Sequence, residues 1–163
     1  MEVRLAAKII DGNTFAAVIR AECRDRTRRL QQDHGVRSGL AVIMVGETPA
    51  SAIYVRNKIR ACEDVGIRST SVTFPKDCAP DSLIDKMREF DNDLDVHGIL
   101  VQLPLPKHMD LDRVIRAIDV NKDVDGFRLY DVGGLVVGNT VFPLCTPYGV
   151  LRLPEHENIQ TEG

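Results

Sequence analysis

The chain has 163 residues, 44% of them hydrophobic and 28% charged, with a net charge of −3. That length suits one globular domain with a sizeable core and leaves no room for two full ones. With no basic block, no apolar run of membrane-spanning length and no early apolar stretch after Met1-Glu2-Val3-Arg4-Leu5, the composition argues against nucleic acid, membrane and secretion.

Roughly Thr14 to His34 reads as a long, basic-rich helix with Phe15, Val18, Ile19 and Leu30 as its apolar residues, ending at Gly35. Leu40-Ala41-Val42-Ile43-Met44-Val45 follows, a continuous apolar run closed by Gly46, which is how a strand buried on both faces reads. Thr48 to Gly66 predicts a second helix: Thr48 is an N-cap, Pro49 suits the first helical position, and Gly66 suits the residue beyond the C-cap. Ser69 to Phe74, closed by Pro75, is a more polar strand suited to a sheet edge. Pro80-Asp81 opens a helix with Leu83, Ile84, Met87 and Phe90 on one side. Gly98-Ile99-Leu100-Val101 is the third strand, and the segment after Asp110 is a helix carrying Leu111, Val114, Ile115 and Ile118. Asp131 to Gly138 is glycine-rich and suggests a hairpin or extended excursion. Pro147 to about Leu153 starts another helix that Pro154 should interrupt.

Strands alternating with helices predict a three-layer α/β/α domain with a mostly parallel sheet. In such sheets ligands sit beyond the carboxyl ends of the strands. The turns after Val45 and Val101 leave that rim, and the second helix begins there.

Lys58 is the anomaly of that helix. At about 100° per residue, Arg56, Asn57, Arg60, Glu63 and Asp64 share one side, whereas Lys58 falls amid Ala50, Tyr54, Val55, Ile59, Ala61, Cys62 and Val65, with Ser51 beside it. Two readings follow. The stem lies on apolar surface and the ammonium reaches water, or the amine faces a cleft, where lost solvation readies it for general base work. Gln102, at the end of the third strand, is a neutral partner for such an amine, held by the stiff exit Leu103-Pro104-Leu105-Pro106; it equally suits backbone groups of the turn. In Lys122-Asp123-Val124-Asp125-Gly126-Phe127 the two carboxylates share a side if the chain is extended, so one reaches a cleft while the other caps, or both belong to a solvated turn.

Other chemistries find no support. Cys23, Cys62, Cys78 and Cys145 are scattered, as reduced cytosolic thiols are, and neither they nor the four histidines have metal-ligand spacing. Cys145 has no base beside it in sequence and reads as a structural thiol. Gly133, Gly134 and Gly138 make no dinucleotide fingerprint, no phosphate loop is present, and neither Val45-Gly46 nor Val101-Gln102 offers the strand-end aspartate of a receiver domain.

Val45-Gly46, Pro49-Ala50-Ser51, Tyr54-Val55, Lys58, then Gly98 to Pro106, Lys122 to Phe127 and Cys145-Thr146-Pro147-Tyr148-Gly149-Val150 together resemble the bifunctional methylenetetrahydrofolate dehydrogenase/cyclohydrolase family, over about residues 12 to 150. The resemblance implies NADP-dependent oxidation of 5,10-methylenetetrahydrofolate, then hydrolysis to 10-formyltetrahydrofolate, in one-carbon metabolism that feeds purine biosynthesis. It implies Lys58 as the catalytic lysine, Gln102 as the group tuning its protonation, and Tyr54 stacking on or orienting the folate. Asp125 would accept from the pterin; Ser51, Val55, Arg56, Asn57, Val101, Leu103 and Pro104 would complete the substrate slot. It further implies tetrahydrofolate derivatives as ligands, NADP as the cofactor of the full-length family, no metal, a homodimer and a cytoplasmic location. Residues 1–150 would be the folate-binding catalytic domain and 151–163 the start of a linker to an NAD(P)-binding domain. The family's Rossmann domain would begin where this chain stops, so hydride transfer is expected to be absent or weak. The alternative is a non-catalytic domain that binds folate or a partner chain. Leu144 departs from the proline usual before the cysteine.

Overall fold

The computed structural model describes residues 9–46 and 48–161. The charged N-terminal segment that argues against secretion, and the last two residues of the expected linker, lie outside the described residues. Three parallel strands, β1 (Gly39–Val45), β2 (Arg68–Phe74) and β3 (Gly98–Val101), form a sheet in the order β2-β1-β3. The helices are α1 (Gly12–His34), α2 (Pro49–Asp64), α3 (Pro80–Asn92), α4 (Leu111–Arg116), α5 (Leu129–Val137) and α6 (Cys145–His156).

Side-chain alternation along β1 builds two cores. Ala41, Ile43 and Val45 pack with Leu83, Met87 and Phe90 of α3, and with Val114 of α4 and the adjoining Ile118. Val42 and Met44, on the other face, pack with Leu100, Val55, Ile59 and Val124. The result is the expected three-layer α/β/α arrangement. It explains why β1 is apolar throughout: as the central strand it has helices on both faces. The more polar β2 is an edge strand.

The α2 start follows from its capping chemistry. Thr48 Oγ1 accepts the Ser51 backbone N–H at 3.2 Å and its hydroxyl donates to Ser51 Oγ at 2.9 Å, with Pro49 at the first position. Gly66 (φ +82°) ends it. α1 has no buried residue; the Arg24 guanidinium and the Thr27 hydroxyl fasten it to the Asp64 and Val65 carbonyls at the end of α2.

Two expectations need correction. Asp131 to Gly138 is not a hairpin or an extended excursion but most of helix α5, followed by Gly138 in the left-handed region at φ +74°. Its two internal glycines and β-branched residues disfavour a helix, and tertiary packing overrides them. Gly134 lets the returning chain lie against the helix, since a Cβ there would stand 2.3 Å from the Asn139 carbonyl oxygen. Asp131, almost fully buried, holds that return by accepting the Phe142 backbone N–H at 3.1 Å. Likewise α6 does not stop before Pro154 but runs on to His156. Pro154 falls in the last turn, where a missing N–H costs one intrahelical bond, and its own carbonyl accepts from Ile159 at 2.9 Å.

Candidate active site

An open cleft of about 240 Å³ lies at the carboxyl rim of the sheet, lined by Lys58, Gln102, Leu103, Asp125, Phe127, Leu144, Cys145, Thr146 and Pro147. Each wall has a local cause. The capped start of α2 at the end of β1 carries Lys58 to the rim one helical segment later. Gln102 is fixed by its backbone N–H, which continues the β1–β3 ladder to the Ile43 carbonyl at 2.8 Å. Its Nε2 donates to the Leu103 carbonyl at 2.8 Å, while Oε1 is buried and takes no hydrogen bond among the described residues. A buried amide oxygen without a donor is costly, so the cleft presents an acceptor suited to an amine or N–H brought against it.

Asp125 comes from the turn after α4. Ile99 donates its backbone N–H to the Lys122 carbonyl at 2.7 Å and bridges to Asp123 in parallel fashion, which sets the turn beside β3. The Lys122 ammonium caps the end of α3 by donating to the carbonyls of Phe90, Asp91 and Asp93 at 3.1, 2.7 and 3.0 Å. Asp123 is 2% exposed, and its carboxylate accepts the backbone N–H groups of Gly126 at 3.2 Å and Arg128 at 2.9 Å. Gly126 sits at φ +69°, and a Cβ there would come within 2.5 Å of the Phe142 carbonyl oxygen. Only glycine fits that close return of the chain.

Burial pushes the Asp125 carboxyl above its ordinary value; the Lys58 charge opposes that shift and the Asp123 charge adds to it. Burial of the thiol raises Cys145 as well, helped by Asp125 and opposed by Lys58. Lys58, Asp125 and Cys145 therefore share one electrostatic environment, in which burial makes the carboxyl and the thiol ionise reluctantly. Cys145 is not buried as expected of a structural thiol: the residue is exposed on the cleft wall, and its thiol donates to the Val124 carbonyl at 3.2 Å. The cause is its position at the first residue of α6, which opens onto the cleft.

Of the residues expected to form the site, the structure brings Lys58, Gln102, Leu103 and Asp125 together. Tyr54, Arg56, Asn57 and Pro104 are exposed outside that lining. Val55 belongs to the core against Val42, Met44 and Leu100. Val101 belongs to the opposite core and lines a narrow, largely apolar slot shared with Leu103, Asp123, Asp125 and Phe127. Ser51 is buried at the α2 cap. Phe127, Leu144, Thr146 and Pro147 line the cleft without having been singled out as site residues. Their proximity arises from the return of the chain through α5, for which the sequence offers no local signal. Among the described residues, no group of three or more His, Cys, Asp or Glu is placed to hold a metal ion, and no helix is long and apolar enough to cross a membrane.

The catalytic-domain model of tetrahydrofolate dehydrogenase/cyclohydrolase matches residues 10–125. The bifunctional protein FolD of Nitrosospira multiformis is 49% identical over 159 residues, covering 98% of this chain and 55% of that protein. The crystal structure of the Campylobacter jejuni bifunctional enzyme FolD, a methylenetetrahydrofolate dehydrogenase/cyclohydrolase, superposes with a TM-score of 0.93 at 40% identity, over 97% of this chain and 56% of that one. A Trypanosoma brucei methylenetetrahydrofolate dehydrogenase-cyclohydrolase, solved with NADP and an inhibitor, gives a TM-score of 0.92 at 31% identity over 96% of this chain and 54% of that one. The chain thus spans about half the length of the relatives it matches.

Proposed function

The chain belongs to the tetrahydrofolate dehydrogenase/cyclohydrolase family, and from that premise we propose that its cleft binds a reduced folate and hydrolyses the methenyl form to 10-formyltetrahydrofolate. The observation that carries the proposal is the convergence of Lys58, Gln102 and Asp125 on one cleft from α2, the end of β3 and the 122–128 turn. Folate offers a flat heterocycle with N–H donors on its edge. Leu103, Phe127 and Leu144 supply apolar surface for its faces, and Asp125 and the free Gln102 Oε1 supply acceptors for that edge. Tyr54, exposed on α2 one turn before Lys58, is the residue we assign to stack over a bound ring. Ser51, Val55, Arg56, Asn57, Val101 and Pro104 are proposed to shape the slot around it.

In the hydrolysis, water oxygen bonds to the methenyl carbon, and Lys58 as free amine takes a proton from that water. The carbon–nitrogen bond to the pterin ring nitrogen then breaks as the second water proton reaches that nitrogen and the formyl C=O forms. One proton is released overall. Gln102, being uncharged, can hold the lysine amine by hydrogen bonding without fixing it as a cation, as a carboxylate would.

The family reading also proposes oxidation of 5,10-methylenetetrahydrofolate with NADP, the cofactor present in the Trypanosoma brucei structure. The described residues do not fit a dinucleotide: the turns that leave β1, β2 and β3 carry no glycine-rich phosphate loop opening a helix. No step is therefore derived through it. We further propose that residues 1–150 form the folate-binding unit, with residues 151–163 leading on from it, and that the protein works as a cytoplasmic homodimer.

The test is the decay of methenyltetrahydrofolate absorbance with and without the chain. Catalysed decay is expected, and Lys58→Met should slow it by about 10²–10⁴-fold, the usual contribution of a positioned acid–base group. No decay above background, with tetrahydrofolate still bound, would leave a folate-binding domain without catalysis.

A further inference from the structure

We infer that Asp123 is a positioning residue that aims Asp125 into the cleft, although Asp123 does not itself line that cleft. This deepens the folate reading and rests on it for the identity of what Asp125 meets. Asp123 is 2% exposed, yet it is a carboxylate with no basic partner among the described residues; both its oxygens go to backbone donors. Burying a charge is costly unless it is fully hydrogen-bonded. Here the two donors, Gly126 and Arg128, follow Asp125 in the chain, so the carboxylate closes the turn that contains it. The Gly126 N–H is shared between this carboxylate and the Asp123 backbone carbonyl, at 3.2 and 3.3 Å, whereas the Arg128 N–H has the carboxylate as its one acceptor among the described residues, in a loop that returns tightly under Phe142.

Three more bonds fix the frame around that closure. The Asp123 backbone N–H donates to the Asp119 carbonyl at 3.0 Å, the Arg128 guanidinium donates to the Ile118 carbonyl, and the Cys145 thiol donates to the Val124 carbonyl between the two aspartates. The turn is held at both ends and in the middle, which leaves the Asp125 and Phe127 side chains to line the cleft, Asp125 being the one that carries charge. An amide in place of the Asp123 carboxylate can accept one of the two N–H bonds but turns a donor toward the other. An alternative, that Asp123 merely fills space, does not account for two oxygens placed on two separate amides.

Asp123 also acts through charge. The groups that face Asp125 are Lys58 from α2, Asp123 from its own turn and Cys145 from α6. Of these, Asp123 supplies the negative charge that helps keep Asp125 protonated to higher pH. Removing it should lower the pH at which Asp125 titrates, a change that a purely mechanical role would not produce.

The test uses the whole 163-residue chain. In the wild type, the Arg128 amide, whose acceptor is the Asp123 carboxylate, should exchange with solvent at least about 100-fold more slowly than an unstructured amide, because opening it exposes a buried carboxylate. Fast exchange overturns the inference without any variant. In Asp123→Asn, equilibrium titration with tetrahydrofolate should show a Kd raised by about tenfold or more, one lost charge-assisted bond being worth about that factor. Carbon NMR should show the Asp125 carboxyl titrating lower. Asp123→Glu keeps the charge and misplaces the oxygens, so it should lose affinity while leaving Asp125 titrating high. Unchanged affinity and unchanged Asp125 titration in a folded Asp123→Asn would overturn the inference. If Asp123→Asn does not fold, the wild-type exchange rates decide. Failure of the wild type to bind tetrahydrofolate rejects the folate reading instead, and the positioning role then stands or falls on the Asp125 titration and the amide exchange.

Discussion

Asp123 and Asp125 are two residues apart and differ in what surrounds them. Asp123 is held by two backbone N–H groups, whereas Asp125 stands in the cleft, where burial outweighs the attraction of Lys58 and raises its carboxyl. That shift has a stability consequence of fixed sign. A carboxyl raised in the folded state binds its proton more tightly there than in the unfolded chain. Its contribution is present below the unfolded value, declines as pH rises towards the folded value, and stays lost at neutral pH. Asp125→Asn, which mimics the neutral form, should therefore raise the urea midpoint at pH 7, with the gain vanishing towards acid. A lower midpoint at pH 7 would mean that the Lys58 attraction dominates. The same substitution should weaken folate binding, so this residue exchanges stability for recognition.

At the scale of elements, α5 is the informative case. Its internal glycines suggest extended chain, yet they sit in different surroundings. Gly133 has nothing within 4 Å of a built Cβ, whereas one at Gly134 would stand 2.3 Å from a backbone oxygen. Gly133→Ala should therefore stabilise the protein by about 0.5–1 kcal/mol through helix propensity alone. Gly134→Ala should destabilise it, because the clash is with main chain and the return to Phe142 must move. Thermal denaturation of the two variants distinguishes this helix from a hairpin, in which position 133 has no reason to favour alanine. α2 and α3 were written locally. Thr48, Pro49 and Gly66 bound α2 in the sequence as they do in the structure, and α3 buries Leu83, Ile84, Met87 and Phe90, the four residues that share one helical side.

For the molecule as a whole, β1 is the wall between two cores, so damage on one face of the sheet should be distinguishable from damage on the other. Leu83 is fully buried in the α3 side of the core, away from the α2 side that carries Lys58. Leu83→Ala should lower the unfolding free energy by about 2–5 kcal/mol. Urea unfolding at an unchanged m-value is the check, and a loss below about 0.5 kcal/mol would mean that this core is not packed as described.

Sequence alone determined the strands, most of the helices and the parallel three-layer class, because these follow from periodicities and caps that act over a few residues. It also raised Lys58, Gln102 and the Asp123–Asp125 pair as candidates, each with a plainer reading beside it, and the family resemblance rather than local patterning chose Asp125 from that pair. It did not determine which expected residues share a wall. Val55 and Lys58 are neighbours on one helix, yet one is core and the other cleft. Nor did it place Phe127, Leu144, Thr146 and Pro147 beside Lys58, or divide the two aspartates between turn and cleft. Those outcomes depend on contacts between segments distant in the chain: α5 folding back through Gly134, Gly126 closing against Phe142, and the Cys145 thiol reaching Val124. Such contacts form only where the packed cores hold the segments together, so no window of sequence contains them.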